Sequence, residues 1–394
     1  EYVFDLQSCK PGQMPHDKLL PMALDPNVRV LACGGDGTAG WILHEIDTVW
    51  KRTLEGKRVD QSEYKYHLPL AVMPLGTGND LSRTLNWGKA FHRKMLKPGE
   101  IERVQKGQLI KLDRWRCLIL PSGSLDDEAR ENMPQMLSAK VGRKSIKLLN
   151  DSFDFNEKSN GNIDRKESKR TSFFPRNKRL STMNLTPSAQ IFDGVFSNYL
   201  SIGFVARIAL SFHSDREKNP ERFSSPMKNK LIYAEKMFQD GGLGLHITKN
   251  EEDIPPLLHG KIRLLVSYSE NELTEIPIPK KCRGITFLNI PSYAAGHNIC
   301  TKGRYNDGLI EVVFMESLSQ LVRSCITGPI SKFKPQAQVQ KIFIRLIEPL
   351  HCEVDGEPWL QSEGIIQIDH FGEIAMLENR TKKRQCFDVF TCSY

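Results

Sequence analysis

Hydrophobic positions in the first third of the chain repeat one plan twice. Val28 to Cys33 is a short apolar run, and Ile42, Ile46, Val49 and Trp50 follow it at helical spacing. Leu68 to Met73 is a second such run, followed by a glycine-rich turn and a helix expected from Asp80 to about Asn86. Short buried strands alternating with helices predict an α/β domain with a mainly parallel sheet and glycine-rich strand-to-helix turns. Between about Pro121 and Pro187 the pattern is lost to Ser, Asn, Asp, Lys and Arg, which predicts a basic, disordered insert over 121–190. After Phe192 the periodicity turns to that of strands: Phe196-Asn198-Leu200, Lys261 to Tyr268, Gly284 to Pro291, Leu309 to Met315 and Gln338 to Ile347. Helices are expected near Val205 to Arg216 and Ser317 to Ser324. A second domain over 191–394, a mainly antiparallel β-sandwich, is the expectation.

The 394 residues, 39% of them hydrophobic, suffice for two domains with cores of their own. No run approaches the 18 or so consecutive apolar residues of a membrane-spanning helix, and Glu1-Tyr-Val-Phe-Asp lacks the plan of a signal peptide. Neither secretion nor membrane spanning is expected. The nine cysteines never take a zinc-binding or thiol-exchange spacing, so reduced cytosolic thiols are the expected state. A formal charge of +8 favours anionic partners, phosphates or acidic lipid headgroups. Without a helix-turn-helix, zinc-finger or aromatic RNA-binding motif, nucleic acid is not expected among them. Within the insert, Arg165-Lys166, Lys169-Arg170 and Arg176 to Arg179 stand beside Ser168, Thr171, Ser172 and Ser181. That pattern reads first as a solvated linker and second as a phosphorylation switch or a contact with anionic lipid.

Two turns carry the candidate chemistry. Gly34-Gly35-Asp36-Gly37-Thr38 lies between a strand and a helix, where backbone amides and the helix dipole favour an anion. A carboxylate at Asp36 facing phosphates would need a metal, a ribose hydroxyl or a proton. Pro74-Leu75-Gly76-Thr77-Gly78-Asn79-Asp80 is a second turn at a strand end, and in an open α/β sheet both can line one cleft. Neither fits the Walker loop or the Rossmann fingerprint. Further on, Asn306-Asp307-Gly308 and Asp355-Gly356-Glu357 read first as a turn and a hairpin.

The sequence Gly34 to Thr38, followed by Pro74 to Arg83 (PLGTGNDLSR) and by Asp113-Arg114-Trp115, resembles the diacylglycerol kinase catalytic domain. Asn198 to Gly203 (NYLSIG), Phe212 to Glu217 (FHSDRE) and Asn229-Lys230 resemble that family's accessory domain. GGDGT alone is shared with sphingosine kinases, phosphofructokinases and NAD kinases. The resemblance implies a catalytic domain over 1–120 and an accessory domain over 191–394, with the chain beginning after the family's first glycine-rich loop. It implies transfer of the γ-phosphate of ATP, with Mg2+, to 1,2-diacylglycerol, giving phosphatidic acid and ADP in lipid signalling. Carried over by motif, Gly34, Gly35, Asp36, Gly37, Thr38, Gly76, Thr77, Gly78 and Asn79 would hold nucleotide. Asp36 and Glu357 would be catalytic, Glu357 as proton acceptor, and Asp36 and Asp307 would handle magnesium, Asp307 organising the ion and its waters, with Asn306 standing where many bacterial relatives carry a second acid. A cytoplasmic enzyme in peripheral contact with anionic membrane follows. Arg207, His213, Arg216 and Lys230 are either a solvated helix face or part of that contact. A sphingoid or ceramide kinase and a non-catalytic lipid-binding scaffold are the rival readings.

Overall fold

A computed structural model describes residues 2–10, 12–54, 67–122, 192–240, 256–269, 272–294, 296–300, 303–317, 319–320 and 333–380. The insert expected over 121–190 and most of the helix expected near Ser317 to Ser324 lie outside these residues. The chain divides into two compact units. Unit 1 takes Glu1–Asp113, Ser292–His297 and Gly372–Tyr394; unit 2 takes Arg114–Pro291 and Asn298–Phe371.

Unit 1 opens with a short helix, α1 (Pro15–Leu19), followed by β1 (Val30–Gly34) and α2 (Asp36–Leu54). Ile42, Ile46 and Val49 are buried on one face of α2, and the helical spacing read from the sequence is the face it packs with. Burial of each such side chain stabilises by about 1.5–3 kcal/mol. β2 (Leu70–Pro74) pairs with β1 in parallel, Val30 opposite Leu70 and Gly34 opposite Pro74. The short helix α3 (Asp80–Thr84) and α4 (Pro98–Gln105) follow. The long strand β3 (Gln108–Pro121) then leaves unit 1 and enters unit 2.

In unit 2 come β4 (Phe192–Phe196), β5 (Tyr199–Gly203), α5 (Phe204–Lys218) and α6 (Pro226–Asp240). They are followed by β6 (Ile262–Ser269), β7 (Glu272–Ile276) and β8 (Gly284–Leu288). The two-residue strands β9 (Ser292–Tyr293) and β10 (His297–Asn298) come next, β9 within the segment that unit 1 takes back. The remainder is β11 (Ile310–Met315), β12 (Ala337–Val339), β13 (Lys341–Leu346), β14 (Leu350–Val354), β15 (Glu357–Gln361) and β16 (Gly364–Glu378).

The pairings between the named strands of unit 2 are antiparallel, beside one isolated parallel bridge of Cys300 with Phe333. One sheet has the order β12-β11-β8-β5-β14-β15, with Leu200 opposite Phe287 and Val354 opposite Glu357. In the other, β6 lies between β7 and β13, the first part of β16 pairs with β13, and β4 pairs with β3. The two share a core of alternating inward residues, among them Trp115, Phe196, Ile202, Val266, Phe287, Val312 and Ile344. In unit 1 the end of β16 adds a third parallel neighbour, Met376 opposite Leu70 on β2. The fold is therefore α/β in its first part and antiparallel in its second, as the hydrophobic pattern implied. β3 and β16 are long strands that the pattern did not separate, and α6 is a helix that it did not show.

Candidate active site

The parallel register of β1 and β2 brings their two terminal turns side by side. A Cβ on Gly76 would lie 2.5 Å from the Gly35 Cα, and one on Gly35 would lie 3.0 Å from the Gly76 Cα. Only two glycines permit this approach of backbone to backbone. The Leu75 N–H donates to the Gly34 carbonyl at 3.0 Å, extending the ladder one residue beyond the strands. A Cβ on Gly34 would meet the Thr38 side chain in the first turn of α2.

Asp36 opens α2, and its carboxylate faces the second turn. Oδ2 accepts the Asp80 N–H at 3.0 Å and Oδ1 the Leu81 N–H at 2.9 Å. It thereby takes up two of the amides that a helix start leaves without intrahelical partners, those of α3. Asn79 adopts a left-handed conformation, φ 56, and folds its amide back on its own loop. Its Oδ1 accepts the Gly76 N–H at 2.9 Å, while Nδ2 donates to the carbonyls of Gly76 and Lys89. Arg83 donates from Nε to the Gly78 carbonyl at 2.9 Å. Asp80 is 2% exposed, and its Oδ1 accepts the Ser292 hydroxyl at 2.6 Å and the Gly296 N–H at 2.7 Å. No sequence pattern signals that Ser292 and Gly296 bond to this turn.

The two motifs are thus brought together, with a division of labour the sequence did not show. The Gly76, Asp80 and Leu81 amides are engaged internally and hold the second turn in shape. The start of α2, at Gly35 to Thr38, presents helix-terminal amides of the kind that bind phosphate.

The other predicted groups lie in unit 2. Asp355 and Gly356 form the two-residue loop between β14 and β15, with φ of 48 and 86, so the hairpin expected there is present. The Asp355 carboxylate accepts three amides, Ser197 at 3.0 Å, Asn198 at 2.8 Å and Tyr199 at 3.1 Å. Burial pushes its pKa up, with those amides and the Arg114 charge pulling against it. Glu357 begins β15 with its side chain 56% exposed, 4.0 Å from Nδ1 of the nearly enclosed His213 on α5. Partial burial raises the Glu357 pKa and the Arg216 charge opposes that rise. Burial, with Arg216 adding to it, lowers His213 to about 3 and leaves the imidazole neutral at physiological pH.

Asp307 is exposed in the turn before β11, where its Oδ1 accepts the Leu309 N–H at 3.2 Å. Below it, Glu311 is fully buried on β11. Gln338 donates to Oε1 at 3.1 Å, and Oε2 has no hydrogen-bond partner among the described residues. Burial, with Asp307 adding to it, pushes the Glu311 carboxyl up to about 8. The sequence reading passed over Glu311, whose only signal is an acid inside the apolar run Ile310 to Met315.

Two family models cover most of this framework. One, described as the diacylglycerol kinase catalytic domain, matches residues 2–117, and the other, the diacylglycerol kinase accessory domain, matches residues 195–358. The chain belongs to the diacylglycerol kinase family. Over 391 residues it is 28% identical to diacylglycerol kinase iota of Mus musculus, a match that takes 97% of this chain and 29% of that protein. It is 28% identical over 367 residues to diacylglycerol kinase zeta of Rattus norvegicus, covering 91% of this chain and 31% of the relative. For diacylglycerol kinase 1 of Arabidopsis thaliana the identity is 26% over 394 residues, with coverage of 97% and 41%. The chain spans less than half the length of the curated relatives it matches.

Magnesium is implied by this family, and the donors can be tested for it. Among the described residues no three His, Cys, Asp or Glu side chains are grouped to hold a metal. Magnesium is commonly held by only one or two carboxylates, completed by phosphate oxygens and water. Asp307, an exposed hard-oxygen donor on a short turn, fits that chemistry. Asp36 fits less well, because each of its oxygens already accepts a main-chain amide. Among the described residues, no helix is long and apolar enough to cross a membrane.

Proposed function

We propose that this diacylglycerol kinase family chain transfers the γ-phosphate of ATP to the free hydroxyl of 1,2-diacylglycerol, forming phosphatidic acid and ADP. The observation that carries the reading is the contact of the Gly35 and Gly76 backbones at the ends of two parallel strands, beside the start of α2. Phosphoryl transfer asks chiefly for placement of the phosphates and neutralisation of their charge. Amides at Gly34 to Thr38 and at Thr77 to Asn79 serve the first need. Asp36 serves it at one remove, by fixing the second turn through Asp80 and Leu81. Asp307 would hold magnesium, which supplies neutralisation of phosphate charge when bound. Glu357 accepts the proton of the acceptor hydroxyl as its oxygen bonds to the γ-phosphorus and the bond from that phosphorus to ADP breaks. A carboxylate with a raised pKa on an exposed strand start suits that role.

A catalytic domain over 1–120 and an accessory β-sandwich over 191–394 go with family models that match 2–117 and 195–358, while Ser292–His297 and Gly372–Tyr394 belong to the first compact unit. The net charge supports peripheral contact with anionic membrane at a cytoplasmic face. The test is transfer of labelled phosphate from ATP to diacylglycerol in mixed micelles with magnesium, with sphingosine and ceramide in parallel. Labelled phosphatidic acid that is lost in Asp36→Ala supports the reading. Transfer to sphingosine or ceramide instead, or to no lipid, refutes it.

A further inference from the structure

We infer that Asp355 is a positioning residue for Glu357, and that Trp115 and Asn289 set its geometry from inside the core of unit 2. The inference rests on the reading of Glu357 as proton acceptor and assigns work to residues that reading leaves idle.

Four stretches far apart in sequence are joined in one hydrogen-bond network that ends on the Asp355 carboxylate. The Trp115 indole N–H donates to Asn289 Oδ1 at 2.9 Å, and Asn289 Nδ2 donates to the Ser197 carbonyl. The Asn289 main-chain N–H donates to the Asn198 carbonyl at 2.9 Å. From the carbonyl side the segment 197–199 is therefore held by Asn289, and from the amide side it is spent on Asp355. The Asp355 N–H closes the circuit on the Tyr199 carbonyl at 3.0 Å. Trp115 and Asn289 are both 0% exposed, and Ser197 and Asn198 are 3% exposed. Arg114, 2% exposed, lies over the Phe371 ring and sets its charge toward Asp355.

A two-residue hairpin requires none of this. Asp-Gly closes such a loop through backbone preference alone, and a buried carboxylate is a costly group to place there unless amides and a cation compensate it. The network fixes the direction in which the hairpin delivers its next residue. Glu357 follows directly and pairs with Val354 across the loop. Its own side chain is more than half exposed, so packing of that side chain does not hold it. The backbone on which it stands does, and a proton acceptor misplaced by about 1 Å can lose two orders of magnitude in rate.

The decisive experiment is a double-mutant cycle on turnover, with hydrogen exchange as a readout that needs no activity. Asp355→Asn keeps the shape but cannot accept three amides, and it should lower kcat at least about tenfold with the KM for ATP unchanged. In a Glu357→Gln background the same substitution should change kcat by less than about twofold, because it acts through the group already removed. Losses that multiply would show a general defect and overturn the inference. Full turnover by Glu357→Gln alone would instead overturn the reading of Glu357, and exchange then decides the network by itself. Trp115→Phe keeps an aromatic ring and removes only the indole donor. It should speed exchange at the Ser197, Asn198 and Tyr199 amides while β6 and β13 keep their protection. Parent-like exchange at those three amides would end the proposal whatever the kinetics.

Discussion

Glu311 sits fully buried on β11 with one oxygen unpartnered among the described residues. Its carboxyl keeps its proton up to about pH 8, whereas in the unfolded chain it gives it up near 4.5. Between those values the folded state binds more protons than the unfolded one, so this group's contribution makes stability fall as pH rises through the window and level off above it. Glu311→Gln should therefore leave Tm nearly unchanged at about pH 5 and raise it by several degrees at about pH 9. Thermal melts at the two pH values check this, and an equal gain at both would contradict it. Glu311 and Asp355 are both buried acids, but they reach opposite solutions. Three amides and the Arg114 charge oppose burial at Asp355, while at Glu311 the Gln338 amide and nearby main-chain amides oppose it less than burial and the Asp307 charge raise it.

At the scale of elements, the parallel pair β1–β2 and its two turns behave as one object. Gly76→Ala would thrust a methyl group against the Gly35 backbone, an overpacking that costs about 1–3 kcal/mol where the neighbour is main chain and cannot rotate aside. We expect the two turns to part, nucleotide binding to fall by at least about tenfold, and Tm to drop by a few degrees. Titration with a fluorescent ATP analogue would detect the loss, and parent-like affinity would show that the contact is incidental. This pair was legible in the sequence because each strand is a short apolar run and each turn is marked by glycines. The use of Asp36 was not legible, since its partners are main-chain amides 44 and 45 residues away and no side-chain pattern reports them. β16 escaped for a different reason. Its inward residues Ile366, Ile368, Ile374 and Met376 are interrupted by the more exposed Asp369 to Glu373, where the strand passes from one unit to the other.

For the molecule as a whole, unit 1 is discontinuous. The Trp87 indole donates to the Leu377 carbonyl at 2.6 Å, the Asn86 amide to Glu378 at 2.9 Å, and the Asn379 N–H to the Leu85 carbonyl at 3.0 Å. Asp80 depends on Ser292 and Gly296. A fragment of residues 1–120 would lack all of these partners as well as the third strand beside β2. It should fail to give a cooperative melt by circular dichroism, although it contains both glycine turns. A two-state transition in that fragment would contradict the role given to 292–297 and 372–379.

That discontinuity also sets an order of assembly on the ribosome. Both glycine turns are synthesised before any of unit 2, yet the end of β16, which pairs with β2, emerges only after nearly all of unit 2 has been made. At translation rates the wait is on the order of tens of seconds, during which unit 1 lacks the strand that pairs with β2. The part of this chain that would handle nucleotide is thus begun before unit 2 and finished after it, so a premature stop before β16 leaves it without a strand.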